Sequence, residues 1–197
     1  MRVLVVQAHP DPDSYSAAQL ATVERALDAA GHERRVLRLY ELGFRAAMTA
    51  EERRVYNTDG PIIDPQVAEH ADHVRWAEML VFVYPTWWSG HPAILKGWLE
   101  RVLVQGVAFA LDPTTHRVRP LLGHVRRIVG ISTYGSPRLY VRLTSDAGRR
   151  TLTRALRHTC GLRTRTTWLG LYDLDHSTDA GRTAFLARID MTLRGLR

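Results

Sequence analysis

Five short apolar runs constrain this chain most: Val3 to Val6, Val36 to Leu39, Leu80 to Tyr84, Ile128 to Ile131 and Thr166 to Leu171. Helical patterns separate most of them. Leu20, Val23 and Leu27 recur on one face after Ser16, and Ile94, Leu95, Trp98, Leu99, Val102 and Leu103 form an i, i+3/i+4 stripe. Leu152, Ala155 and Leu156 repeat that spacing more weakly, and Phe185, Leu186, Ile189 and Leu193 close the chain. The order reads β-α-β-α-β-α-β-α-β-α. The first and third runs are almost continuously apolar, as strands covered on both faces must be, so the pattern predicts a parallel sheet with helices on both sides.

Five strands in a doubly wound α/β domain favour the flavodoxin-like order 2-1-3-4-5, whose ligand crevice lies at the carboxyl ends of strands 1, 3 and 4. No linker, repeat or low-complexity segment divides residues 1–197, which read as one domain. One stretch breaks the alternation. Residues 41–65 stand where a loop belongs but are too long for one. Thr49 followed by Glu51 and Glu52 reads as a helix start, so the stretch is either an excursion with its own helix over one end of the sheet or a partly ordered insertion.

Composition narrows the functional classes. A chain of 197 residues, 45% hydrophobic and 24% charged, can bury a substantial core. No run approaches the roughly 18 apolar residues of a membrane span, and the amino-terminal stretch lacks a signal-peptide cleavage site, so the chain reads as cytoplasmic with no membrane insertion. Cys160 is the single cysteine, which excludes an intrachain disulfide framework. The net charge of +7 raises nucleic acid as a partner, but Lys96 is the single lysine among 27 basic residues and no basic tail exists, so no nucleic-acid partner is expected. Arg149, Arg150, Arg154, Arg157, Arg163 and Arg165 interleave with apolar residues, as a solvated helix face does; a surface for an acidic partner or a phosphorylated cofactor is the other reading.

Three loops meet at the predicted crevice. After strand 1, "HPDPDSYS" places Ser14 and Ser16 where either can cap the next helix, whose start can hold a phosphate without lysine. Neither GxGxxG nor GxxxxGK[ST] occurs, which disfavours a resident dinucleotide and a nucleotide triphosphatase. After strand 3, Pro85 stops the strand, Gly90 frees the backbone for a close approach, and Pro92 suits the first turn of the next helix. Trp87 and Trp88 between them offer a wall for a planar ring. After strand 4, Ser132, Thr133, Gly135 and Ser136 supply hydroxyls and open backbone, with Tyr140 following. No metal-ligand spacing and no Gly-x-Ser-x-Gly elbow accompanies them.

These residues carry a resemblance. "HPAILKGWLERVL" after a Tyr-Pro and Trp-Trp turn resembles the signature of the flavodoxin-like NAD(P)H:quinone oxidoreductase family, which includes the ancillary flavoproteins of potassium-efflux systems. His9 with Ser14 five residues on matches the spacing of that family's flavin phosphate loop, and the likeness runs from Val3 to about Tyr140. It implies a resident flavin, FMN or FAD, held by His9, Ser14, Tyr15 and Ser16 at the phosphate end. Pro85, Thr86, Trp87 and Trp88 would line the ring, and Thr133, Tyr134, Gly135 and Ser136 its pyrimidine edge. Phe109, in "GVAF", stands where the family commonly has a tyrosine facing the nicotinamide or quinone, and Tyr140 lies within one residue of the family's flavin-stabilising tyrosine. Gly135-Ser136 replaces Gly-Gly, and no histidine matches the family's second stabilising residue, so that role falls to Tyr140 or Arg138.

The implied function is ping-pong transfer of two electrons from NAD(P)H to a quinone-like or other planar aromatic acceptor, with Phe109 and Tyr140 as the catalytic pair. The apolar segment from Gly106 to Leu111, with Met48 to Tyr56, predicts a homodimer in which each copy closes its partner's crevice. Two other readings stay open: a regulatory flavoprotein whose turnover is incidental, and a flavin-free α/β binding module.

Overall fold

The computed structural model describes every residue except 59, 113, 116 and 197. Asp59, within the 41–65 stretch, therefore lies outside the described residues. Five parallel strands form the sheet: β1 (Arg2–Gln7), β2 (Glu33–Arg38), β3 (Met79–Pro85), β6 (Arg127–Thr133) and β7 (Arg165–Leu171). Their spatial order is β2-β1-β3-β6-β7, the flavodoxin-like order when counted within the sheet. The numbering gap is a two-stranded antiparallel hairpin, β4 (Phe109–Leu111) and β5 (Val118–Pro120), which the plain alternation of strands and helices did not anticipate.

Alternation along each strand divides the interior into two cores. Val3 and Val5 of β1 pack on one face with α1 (Tyr15–Ala29) and α8 (Asp179–Arg194), together with Val81, Val83 and Phe185. Leu4 and Val6 point the other way, toward α3 (Pro65–Trp76) and α4 (Ala93–Val102), with Leu80, Phe82 and Trp98. Both faces of β3 are sealed, which is why that run reads as continuously apolar. At the β6–β7 pair, Gly130 stands opposite Trp168, and a Cβ there would lie 2.2 Å from the indole, so the missing side chain lets the ring cross the sheet.

The 41–65 stretch is an ordered excursion. Thr49 caps α2 (Ala50–Val55) in a reciprocal capping box with Glu52, as its sequence suggested. Its backbone lies directly on α4: a Cβ on Gly97 would come within 2.1 Å of the Ala46 carbonyl oxygen. Arg101, 3% exposed, reaches out of α4 and ties the excursion down. Its Nε donates to Glu52 at 2.9 Å and one Nη to Asp64 at 2.7 Å; a further bond reaches the Arg45 carbonyl, and the guanidinium stacks 5.1 Å from the Phe44 ring. Burial alone would raise the Glu52 carboxyl, but hydrogen bonds from Thr49 and Arg101 outweigh it and hold the group below its ordinary value.

After β6 the chain turns through α5 (Arg138–Leu143) and α6 (Ala147–Arg150) into a π-helical segment, Thr151–Leu156, and then α7 (Arg157–Cys160). The weak helical spacing of Leu152 and Leu156 thus marks a wider helix, with both leucines in the core. Cys160 is buried, and burial pushes its thiol up to about 12, so it packs as a small apolar residue.

Two stability predictions follow from these contacts. Arg101→Leu leaves two acids without their buried partner and should cost about 3–5 kcal/mol in denaturant unfolding; a loss under about 1 kcal/mol would show that the excursion does not depend on it. His70, packed on Phe44 and accepting from the Trp98 indole N–H at 3.2 Å, is held down to about 4 by burial and by His73. The unfolded chain takes up that proton near pH 6.5, so stability is fully present above about pH 6.5 and is lost as pH falls toward about 4. His70→Gln, neutral throughout, should lose less stability than the wild type across that window in thermal unfolding; identical pH profiles would refute this.

Candidate functional site

Strand register brings three loops to one edge of the sheet. Gln7 pairs with Val83 and Pro85 with Thr133, while the Ala8 N–H donates to the Val83 carbonyl and the Thr86 N–H to the Thr133 carbonyl at 2.8 Å. Pro85 is the last residue of β3, buried and paired with Thr133, so the strand stops there as its sequence suggested. Thr133 likewise ends β6, 5% exposed.

In the first loop Ser14 caps α1: its Oγ accepts from the Ala17 N–H at 3.3 Å and donates to the Asp11 carbonyl at 2.7 Å. His9 is half-buried, its Nδ1 accepting from the Asp11 N–H, with its ring 6.1 Å from that of Trp87. Tyr15 turns away. Its hydroxyl donates to the Arg182 carbonyl on α8, so only its backbone faces the loop. The Tyr15 and Ser16 N–H groups and the buried Ser16 Oγ have no partner among the described residues. Free N–H groups at the start of a 15-residue helix are an anion-binding arrangement.

The second loop is a two-residue reversal. Trp87 and Gly90 exchange backbone hydrogen bonds at 3.2 and 3.0 Å, and the residues between them, Trp88 and Ser89, both adopt positive φ, +49° and +58°. That is the signature of a type I′ turn, which normally falls on Asn or Gly. The strain thus sits on Trp88 and Ser89, not on Gly90, whose φ is not positive. Trp87 is 41% exposed and Trp88 entirely so, at 103%. Neither indole packs back on its helix. Thr86 shares a hydrogen bond with Ser132, Oγ to Oγ, at 2.9 Å. Pro92 is the N-cap of α4, one position before the helix.

In the third loop the Gly135 and Ser136 N–H groups have no partner among the described residues. The Tyr134 side chain departs from its expected place at the edge of a ligand. Only 2% of Tyr134 is exposed; its ring stacks on Tyr172 at 4.5 Å and its hydroxyl donates to Asp146 at 2.9 Å. Burial and the Asp146 carboxylate hold that hydroxyl far above its ordinary pKa, so it stays protonated. Tyr140, 56% exposed, stands at the mouth.

Thr86, Trp88, Gly135, Ser136, Tyr140 and Asp146 are among the residues lining a crevice of about 280 Å³. Phe109 is not among them. It lies half-buried in the β4–β5 hairpin, away from this crevice within one chain. Residues 1–190 match the family model described as flavodoxin-like fold. The chain belongs to this flavodoxin-like family. A protein of Haemophilus influenzae named as an uncharacterized NAD(P)H oxidoreductase is 34% identical to this flavodoxin-like chain over 113 residues, 57% of this chain and 55% of that protein. NAD(P)H dehydrogenase (quinone) 1 of Rattus norvegicus is 30% identical over 154 residues, 71% of this chain and 56% of that one. This flavodoxin-like chain spans about half the length of the curated relatives it matches. The solved NAD(P)H:quinone oxidoreductase from Methanothermobacter marburgensis superposes with a TM-score of 0.84 at 27% identity, over 100% of this chain and 99% of that one.

Two residues of the flavodoxin-like site were not anticipated. Ser145 and Asp146 adopt positive φ, +74° and +45°, and that turn carries the Asp146 carboxylate to the crevice and to Tyr134. "TSDAG" signals a turn, but nothing in it indicates a bond to a tyrosine twelve residues earlier. For Trp88, a solvent-exposed indole with a left-handed backbone forfeits about 1–2 kcal/mol. Trp88→Asn, which suits the first position of the turn, should raise the unfolding free energy by up to about 1 kcal/mol; a destabilised variant would mean that the indole packs on something.

Proposed function

We propose that this chain is a flavin-dependent NAD(P)H oxidoreductase that passes two electrons to a quinone-like or other planar aromatic acceptor. The observation that carries the reading is the crevice itself: an indole held in solvent by a strained turn, opposite two unpartnered backbone N–H groups. Strain persists where the surrounding structure requires it, and such sites cluster where ligands bind. The names of the Haemophilus, rat and Methanothermobacter proteins support the same chemistry.

The residues present fit a flavin. Ser16 Oγ is a buried orphan, and with the Tyr15 and Ser16 N–H groups it offers a phosphate the donors it needs. Trp88 gives a planar wall, Thr86 a hydroxyl, and Gly135 and Ser136 N–H donors toward a polar ring edge. When bound, the flavin supplies hydride acceptance from the nicotinamide and delivery to the acceptor. The protein's part is to hold the ring, keep donors fixed where negative charge develops, and leave one face open. Tyr140, at the mouth, is the one phenol placed to donate to a bound ring or acceptor, since Tyr134 is occupied with Asp146.

One chain leaves this crevice small, at the lower edge of the roughly 300–1,000 Å³ usual for small-molecule sites. The hairpin beside Phe109 exposes Leu111 and Val118. We assign these to closing the crevice of a second copy, which would bring Phe109 to the partner's site and make the homodimer the working unit.

Trp88→Ala should weaken flavin binding several-fold to about a hundredfold, on the scale of about 1–3 kcal/mol for a stacked aromatic. The purified chain should be yellow, with donor and acceptor visiting one crevice in turn, so double-reciprocal plots with NAD(P)H and menadione should be parallel. A colourless protein that takes up no added flavin would sink the reading. Rapid bleaching by NAD(P)H without reoxidation by any quinone would instead favour a partner-binding flavoprotein.

A further inference from the structure

Arg149, Arg150 and Arg154, three of the arginines that the sequence presents as a solvated helix face, are exposed on the helical stretch of α6 and the π segment, and they share one concavity with two arginines of α5. Arg138 and Arg142 of α5, Arg149 and Arg150 of α6, and Arg154 of the π segment converge on a groove of about 720 Å³. Asp146 is the single acid lining it, and that carboxylate already accepts from Tyr134. None of the five guanidinium groups forms an ion pair or hydrogen bond among the described residues. Some arginines elsewhere do hold acids: Arg34 holds Glu24 and Asp28, Arg101 holds Glu52 and Asp64, and Arg194 holds Asp190. Arg138 lies 6.0 Å from the centroid of the Tyr172 ring; beyond that contact, five cations gathered on one concavity repel one another.

The backbone around the groove is also unusual. Its rim is the left-handed pair Ser145 and Asp146, and its far wall carries the six-residue π segment, a conformation that is rare and frequent at functional sites. Val141 and Asp146 line both this groove and the crevice described above. Helix α5 divides the two: Tyr140 and Thr144 line the crevice, Arg138 and Arg142 the groove. The groove is therefore adjacent to the crevice, within reach of the tail of a ligand whose ring enters there.

We propose that this groove binds the phosphates of NADPH, including the 2′-phosphate, and makes the chain selective for NADPH over NADH. The proposal rests on the reading of the crevice as a nicotinamide-using site. Charge favours this occupant. A 2′-phosphate adds about −1.5 to −2 at neutral pH to the two charges of the pyrophosphate, so NADPH brings nearly four negative charges to five cations and one acid. NADH brings only two. Guanidinium forks also suit phosphate oxygens in a way that a single ammonium does not.

The test separates the groove from the crevice. Binding of adenosine 2′,5′-bisphosphate and of adenosine 5′-monophosphate to the purified chain is measured by calorimetry, without any turnover. The bisphosphate should bind about tenfold or more tighter, and Arg149→Gln with Arg154→Gln should abolish that difference, as should Arg142→Gln alone in part. In steady state the same variants should raise KM for NADPH by about tenfold to a hundredfold and KM for NADH, which shares only the pyrophosphate, by a much smaller factor, leaving kcat nearly unchanged. Arg163→Gln, at the amino end of β7 and outside the groove, controls for net charge and should change neither. Equal affinity for the two adenosine phosphates, or equal use of NADH and NADPH that the arginine variants leave intact, overturns the groove assignment while the flavoenzyme reading stands. Arginine-dependent bisphosphate binding in a chain that oxidises neither nucleotide supports the groove and overturns the flavoenzyme reading.

Discussion

Arg101 is the contact on which the arrangement of this end of the molecule depends. A guanidinium buried to 3% exposure is costly to desolvate, and it is tolerated because Glu52, Asp64 and the Arg45 carbonyl surround it. Each partner comes from a different part of the excursion, so one side chain fixes the path of about twenty residues. The excursion in turn lies against α4 at Gly97, the glycine of the motif that follows the tryptophan turn. The residue that shapes this helix surface and the residue that anchors what covers it are thus one turn apart on the same helix.

The crevice follows from the sheet in a similar way. Parallel pairing sets β1, β3 and β6 in register, and their ends deliver three loops, of which the first and third carry backbone donors at Tyr15, Ser16, Gly135 and Ser136 with no partner among the described residues. Two of those loops pay in backbone strain, at Trp88–Ser89 and, beyond α5, at Ser145–Asp146. Trp88, Ser89 and Asp146 border the same space, and the interior beneath them is closely packed: Tyr84 is fully buried, Tyr134 stacks on Tyr172, and the Tyr134 hydroxyl is tied to Asp146.

How far the sequence could be read depended on how local the determining physics was. The five sheet strands and their order were legible because β1 and β3 are apolar on both faces and helices intervene. The capping box at Thr49 was legible for the same reason, being complete within four residues. The β4–β5 hairpin was not: "FAL" and "VRP" are three-residue strands, too short to carry a period. The π segment keeps two leucines four apart and so imitates an α-helix. Within the crevice, the orientations of Tyr15 and Tyr134 are set by α8 and by Asp146, far away in sequence. The pairing of Arg101 across 37 and 49 residues was likewise beyond any local pattern.

The tryptophans span the whole range of solvent contact within one chain. Trp98 is sealed in the core at 0% exposure, and Trp88 stands in water at 103%. Intrinsic emission from this chain therefore runs from a buried, blue-shifted edge set by Trp98, through the partly exposed Trp76, Trp87 and Trp168, to a fully hydrated, red-shifted edge set by Trp88. A small neutral quencher such as acrylamide reaches Trp88 and not Trp98. Occupancy of the crevice can thus be followed as protection of the red edge of the spectrum, while the blue edge reports whether the fold itself has stayed closed.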